Sequence, residues 1–378
     1  MYMYRLGHCA ELARAELNAL DVPIKYFSLK LAFSMQKLDV NLTGSIVFRA
    51  SHIYSFPESP NFGELGEAIA DYLQKNPTKK LGFCVPKALH NGMMQLAKKL
   101  GVKKVNVIDK PEPNFGDYKQ SKQWIWMYTY QNATHIALID QFANQEFWAD
   151  LDMKMPHRDM KRGIINLKLA RSLYNLAGRP SVWYDPFVGQ GRMVTAAVDN
   201  STEFFGSDID STVLDNAREN TEFALRYWHQ KGRFITTEPA HTDTKFSLFT
   251  RDISAPADRT ISATIVVSEG FLGKTFAYTP HSGEIEYELF GLKKMWKSAF
   301  SELAKQHITT IVCCLPYYPK NEEYGIEFYE KILQETITES ASNFTIVPLL
   351  DDKNTIGYTR PESNTGHLIF KVNAAPQG

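Results

Sequence analysis

The sequence predicts an α/β protein whose C-terminal half is a doubly wound, mostly parallel sheet and whose N-terminal half is α+β. Three observations predict it. From Val182 onward, short β-branched and aromatic runs alternate with helical stretches, as strands joined by crossover helices do. The first of those runs leads directly into a glycine turn, Asp185-Pro186-Phe187-Val188-Gly189-Gln190-Gly191. The second run ends in an acidic tip, Gly206-Ser207-Asp208-Ile209-Asp210, at the spacing of about twenty residues that nucleoside-binding sheets use.

The elements follow in order. Tyr4 to Gly7 reads as a short strand and turn, and Glu11 to Leu20 places apolar residues at helical spacing. Ile46–Ala50 is a strand, Leu65 to Leu73 an amphipathic helix, Lys80 to Val85 a strand, Gly92 to Leu100 a helix, and Val105 to Ile108 a strand. These are small α+β units. Trp124 and Trp126 alternate as strand residues do and fit core packing better than a base-stacking platform. His135 to Ile139 is a strand, and Leu167 to Leu176 a helix closed by Gly178 and Pro180. Strands at Val182–Asp185, Glu203–Asp208, Ala263–Val267 and Thr310–Cys314 complete the sheet, with a helix over Met193 to Val198.

With 378 residues, 44% of them hydrophobic and 22% charged, the chain supports more than one folded domain. The expected division is 1–145, a linker with a leading helix at 146–180, and 181–378. The N-terminus has no apolar leader and no run approaches the roughly 18 apolar residues of a membrane span, so a soluble cytoplasmic protein is expected. Cys9, Cys84, Cys313 and Cys314 form no Cys-x-x-Cys pair, which points to structural thiols and no metal. The formal charge is zero, but residues 1–180 hold 24 Lys and Arg against 16 Asp and Glu, while residues 181–378 hold 18 against 26. A basic front half suits a phosphate backbone; chance partition of surface charge is the alternative.

In the turn, Gly189 and Gly191 let backbone approach a ligand that a β-carbon would block. Asp208, followed by Ile209, offers a carboxylate to both hydroxyls of a ribose, and Asp252-Ile253 offers an acceptor for an adenine amino group. Either acid could instead cap a turn. A dinucleotide is the other ligand, disfavoured because the turn has two glycines where a pyrophosphate favours three.

At this point the residues resemble the THUMP-domain-containing tRNA guanine-N2-methyltransferases of archaea and eukaryotes. The likeness rests on Gly7-His8-Cys9-Ala10-Glu11-Leu12-Ala13-Arg14-Ala15-Glu16-Leu17, the connector Asp152 to Lys161, Gly163 to Ala177, Asp185 to Gly191, Gly206 to Asp210, and Tyr358-Thr359-Arg360-Pro361. It implies a ferredoxin-like and THUMP region that holds tRNA, a class I Rossmann-like methyltransferase domain, and S-adenosylmethionine held by Asp185, Pro186, Phe187, Gly189, Gly191, Asp208, Ile209, Asp252 and Ile253. It implies methyl transfer to the N2 amine of a guanosine, position 10 in characterised relatives, and for the eukaryotic members a small activating subunit.

The family's catalytic Asp-Pro-Pro-Tyr loop is replaced here by Ser268-Glu269-Gly270-Phe271-Leu272-Gly273. In the ungapped alignment Glu269 stands for the aspartate and accepts from the target amine, Gly270 and Phe271 stand for the prolines, and Phe271 stacks on the base. The alternative is a solvated turn and lost activity. Leu315-Pro316-Tyr317-Tyr318-Pro319 follows the fifth strand and is a decoy for that loop, although Tyr317 or Tyr318 could line a base pocket. Lys161, Arg162 and Lys168 are candidate phosphate contacts. A DNA amino-methyltransferase and a tRNA-binding protein without chemistry are the competing functions.

Overall fold

The computed structural model describes residues 1–158, 165–232 and 244–375. Its contacts divide the chain into two compact units. The first comprises Met1–Ala10, Val22–Leu42 and Ile46–Gln145, and the second Glu11–Asp21, Thr43–Ser45 and Glu146–Gly378. No helix among the described residues is long and apolar enough to cross a membrane.

The first unit holds strands β1 (Tyr2–Leu6), β2 (Tyr26–Phe27), β3 (Leu31–Ser34), β4 (Ile46–Phe56), β5 (Lys80–Cys84), β6 (Lys104–Ile108), β7 (Trp124–Tyr130) and β8 (Ala133–Phe142). They form one sheet in the order β2-β3-β1-β4-β8-β7-β5-β6. Where the sequence suggests separate small units, β8 joins them, pairing with β4 from Phe48↔Phe142 to Phe56↔Thr134 on one side and with β7 on the other. That pairing also carries β4 six residues past the predicted end at Ala50. The β7–β8 hairpin closes through Gln131 and Asn132, both at positive φ as a type I′ turn requires. The first unit's helices are α2 (Phe62–Lys75), α3 (His90–Lys99) and α4 (Phe115–Ser121), and α2 and α3 bury Leu65, Ile69, Leu73, Met93 and Ala97 against Leu81, Phe83 and Ile125. On the other face Trp124 and Trp126 are buried with Phe48 and Phe142, as core residues.

The second unit holds α1 (Ala10–Ala19), α5 (Gln145–Lys154), α6 (Leu167–Leu176), α7 (Arg192–Thr195), α8 (Leu214–Lys231), α9 (Ser282–Lys305) and α10 (Ile326–Glu339). Its strands are β9 (Val182–Asp185), β10 (Glu203–Asp208), β11 (Lys245–Thr250), β12 (Ile265–Val267), β13 (Thr310–Tyr317), β14 (Phe344–Ile346), β15 (Ile356–Tyr358) and β16 (Gly366–Ala374). The sheet order is β11-β10-β9-β12-β13-β16-β14. Strands β9 to β13 run parallel, and β16 is inserted antiparallel between β13 and β14. The doubly wound, mostly parallel sheet is therefore present.

Strands covered on both faces must be apolar on both. Trp183 turns its ring to Tyr174 of α6, while its neighbour Tyr184 faces the cluster of Trp296, Phe300 and Leu333 from α9 and α10. Strand β11, at the sheet edge, is not among the strands expected from the sequence, and Phe249 alone of its six residues is buried. The helix expected over Met193 to Val198 stops at Thr195, for two physical reasons. The carbonyl of Ala196 accepts from Arg171 Nη1 and that of Thr195 from Trp228 Nε1, so both are diverted from the helical ladder. Strand β13 runs on through Tyr317, so Leu315 to Tyr317 lie within the fifth parallel strand and do not follow it.

Candidate active site

In open α/β sheets, ligands bind outside the carboxyl ends of the strands, where the winding reverses. Here the reversal lies between β9 and β12, and hydrogen bonds join Asp185 to Ser268 and Gly189 to Asp208 beside it, while Asp252 and Ile253 follow the edge strand β11.

The Asp185 carboxylate ends β9 and is shut off from water. Its Oδ1 accepts from the Phe187 amide at 3.0 Å and from Ser268 Oγ at 2.5 Å, while Oδ2 has no donor. Burial pushes its carboxyl up to about 7, with the charges of Asp208 and Glu269 adding to the rise. Pro186 is buried, and Phe187 is half-buried against Trp296 with ring centres 5.3 Å apart. Gly189 donates its amide to Asp208 Oδ2 at 3.0 Å, and the Asp210 amide donates to Asp208 Oδ1 at 3.0 Å. Asp208 thus braces the glycine turn and keeps a free lone pair on each oxygen. Gly191 sits at φ +78 with its Cβ direction 3.1 Å from the Ala217 carbonyl, a place only glycine fills without strain.

Ile209, beside Asp208, is 69% exposed. Ile253 is buried, and Asp252 is exposed with Oδ1 accepting from the amide and hydroxyl of Ser254. Asp252 stands two residues past the end of β11 and makes the turn-capping bonds that the sequence left open as its other role.

The loop after β12 departs from a proline loop in its backbone. Gly270 has φ +77, which a proline ring cannot adopt, and a β-carbon there would stand 2.8 Å from the Cys314 carbonyl and 2.9 Å from Cys313 Sγ. Its amide donates to Ser268 Oγ, which in turn donates to Asp185, so the two loops share one hydrogen-bond chain. Phe271 is 54% exposed. Glu269 is partly buried, and its Oε1 lies 2.8 Å from Nε2 of His367, the second residue of β16.

Sequence reasoning missed His367, Arg192 and Asn220. Asn220 of α8 accepts from the His157 amide and donates to the carbonyls of His157 and Gln190. Arg192 donates to the Ile165 carbonyl and to Asp152 Oδ1. Together they stitch the connector to the glycine turn. The sequence shows that an Arg directly follows the glycine turn but not that it is buried, and nothing local marks the other two.

Other candidates fall elsewhere. Lys161 and Arg162 lie outside the described residues. Burial pushes the Lys168 ammonium down and Glu16 is its nearby counter-charge, so it is not a solvent-facing phosphate contact. Tyr318 is fully buried and Tyr317 packs edge-on against Tyr329. Among the described residues, no group of three or more His, Cys, Asp or Glu is placed to hold a metal.

No family model matches the chain, and no curated protein does. Solved structures do. A possible methylase from Clostridium difficile is similar over 100% of this chain and 99% of its own, at 14% identity and TM-score 0.46. Magnesium protoporphyrin IX methyltransferase from Synechocystis, with SAH bound, is similar over 60% of this chain and 94% of its own (12%, 0.36). A Pyrococcus horikoshii chain provisionally named an RNA methyltransferase is similar over 62% and 100% (18%, 0.34). Likenesses this distant fix neither cofactor nor substrate. The strand order of the second unit assigns it the class I Rossmann-like fold.

Proposed function

We propose that the chain is an S-adenosylmethionine-dependent methyltransferase acting on the exocyclic N2 amine of a guanosine in tRNA. The observation that carries this is the orphan Oδ2 of Asp185, a buried carboxylate oxygen lacking a donor at the mouth of a glycine turn. A polar atom left so costs roughly 1–3 kcal/mol, and an ammonium group relieves it. The residues fit the amino-acid and nucleoside parts of the cofactor. Asp185 suits its ammonium, the free lone pairs of Asp208 its ribose diol, and Asp252 Oδ2 its adenine amine, with Ile209 and Ile253 flanking. When bound, the cofactor supplies an electrophilic methyl on sulfonium sulfur. Glu269 accepts from the target amine, which localises its lone pair, and exposed Phe271 supplies a stacking face.

Support for a polyanionic substrate comes from charge. The first unit carries 16 Lys and Arg against 9 Asp and Glu. Lys79, Lys80, Lys98, Lys99, Lys103 and Lys104 are exposed where β5 and β6 begin and α3 ends. Lys80 lies beside Lys104 in register, and none of the six has an ion-pair partner among the described residues. Such an edge suits phosphates.

Calorimetry with S-adenosylmethionine and its demethylated product tests the cofactor, and label transfer into tRNA and DNA tests the substrate. Saturable binding with label in tRNA alone is the expected result. Absence of binding by intact protein defeats the cofactor assignment, and label in DNA defeats the substrate.

A further inference from the structure

The loop that replaces the proline motif brings a partner that no sequence pattern announces. We infer that His367 is a positioning residue for Glu269: its Nε2–H donates to Oε1 and turns Oε2 toward the acceptor amine. The inference rests on the methyl-transfer reading above.

Sheet topology makes the pair. Among the strands from β9 to β13 and β16, β16 alone runs antiparallel, so its first residues reach the carboxyl edge where every other strand ends. His367 stands opposite Pro316 on β13 and opposite Tyr358 on β15. Its ring meets that of Tyr358 edge-on, with centres 6.0 Å apart, which restricts its rotation. Glu269, 98 positions earlier in the chain, reaches it at 2.8 Å.

Neither side chain is surface decoration, since the His367 and Glu269 side chains are only 16% and 22% exposed. A half-buried acid and imidazole are poor glue, because apolar residues of the same size would hold two strand ends at lower desolvation cost. The pair also leaves Glu269 Oε2 without a protein donor among the described residues, in the same carboxyl-edge cluster as Asp185 and Ser268. The charged and titratable groups around it are Asp185 on β9, Arg192 on α7, the buried Cys313 and Cys314 thiols on β13, and Tyr358 on β15.

In the transfer the amine nitrogen bonds to the methyl carbon, and the carbon–sulfur bond breaks with its electron pair left on sulfur. The proton shed by the now cationic nitrogen goes to Glu269 Oε2. With Nε2–H of His367 donating to Oε1, the carboxylate is held in one orientation.

Two measurements decide it. First, methyl incorporation into tRNA from cells lacking this gene is followed. His367→Ala is expected to lower kcat about 10- to 100-fold with KM for tRNA within about twofold, while His367→Gln, which keeps an N–H at the same reach, restores most of kcat. Second, the His367 imidazole is observed by NMR in the protein alone, and Glu269→Gln is expected to move its Nε2–H resonance upfield as a charge-assisted hydrogen bond becomes a neutral one. Wild-type kcat in His367→Ala, or an unmoved Nε2–H resonance in Glu269→Gln, overturns the inference. Failure of calorimetric cofactor binding would instead defeat the earlier reading, and the NMR measurement still judges the pair.

Discussion

Two carboxylates of the second unit are shut off from water, and their surroundings are opposite. Glu16, on α1, is saturated. Its Oε1 accepts from the Gly44 amide and Asn175 Nδ2, both at 2.7 Å, and its Oε2 from the Ser45 amide at 2.9 Å and the Ser45 hydroxyl. Asp185, on β9, has two donors on one oxygen and none on the other. The first arrangement fastens α1, the 43–45 segment and α6 into one body; the second holds a place for a cation. Burial alone therefore does not mark function. What marks it is whether the buried group's hydrogen-bonding capacity has been used up.

The sharpest way to break this contrast is to truncate the fastener. Glu16→Ala leaves the Gly44 and Ser45 amides and Asn175 without an acceptor, and a loss of about 3–5 kcal/mol in urea denaturation is expected. Glu11, five positions earlier in the same motif but paired with Lys353 near the surface, should cost under about 1 kcal/mol when replaced by Ala. Equal effects would show that saturation is not what matters.

Asp185 should behave in the reverse sense. Its carboxyl is raised in the folded state from 3.8 to about 7, so the folded protein binds more protons than the unfolded one between those values. The stability this contributes is full below about pH 4 and is lost as pH rises through 7, at up to roughly 1.4 kcal/mol per unit. Asp185→Asn is expected to flatten that slope in denaturation curves taken from pH 4 to 8, while weakening S-adenosylmethionine binding about tenfold or more. A slope unchanged by the substitution would move the titrating group elsewhere.

Smaller effects test the turn that Asp208 braces. Gly191→Ala places a β-carbon at positive φ against Ala217, at about 1–3 kcal/mol of strain. Calorimetry is expected to read it as cofactor binding weakened by about tenfold. Phe271→Ala should be smallest in stability, within about 0.5 kcal/mol because the ring is 54% exposed, and should act on methyl transfer to tRNA instead. A large stability loss there would make Phe271 a packing residue.

Local pattern made some of this legible. Strands β9 and β10 have the bounds their β-branched and aromatic runs indicate, and the glycine turn and acidic tip are contiguous motifs. The six-position loop after β12 showed its departure from a proline motif in its letters, but not that Gly270 adopts a left-handed backbone. The short β14 and β15 escaped notice, since half-exposed strands of three residues carry little periodicity, while β11 escaped it although Lys245 to Leu248 alternate.

Sequence by itself determined the alternation of strand and helix, the place of the glycine turn, and the acids at successive strand ends. Each depends on residues within one element or its flanking turn. Tertiary structure alone decided that β16 turns antiparallel and brings His367 to Glu269, that Asn220 and Arg192 tie the connector to the turn, and that Glu16 is saturated while Asp185 is not. Those outcomes depend on which elements become neighbours, and a carboxylate's remaining lone pairs are counted only after its neighbours have arrived.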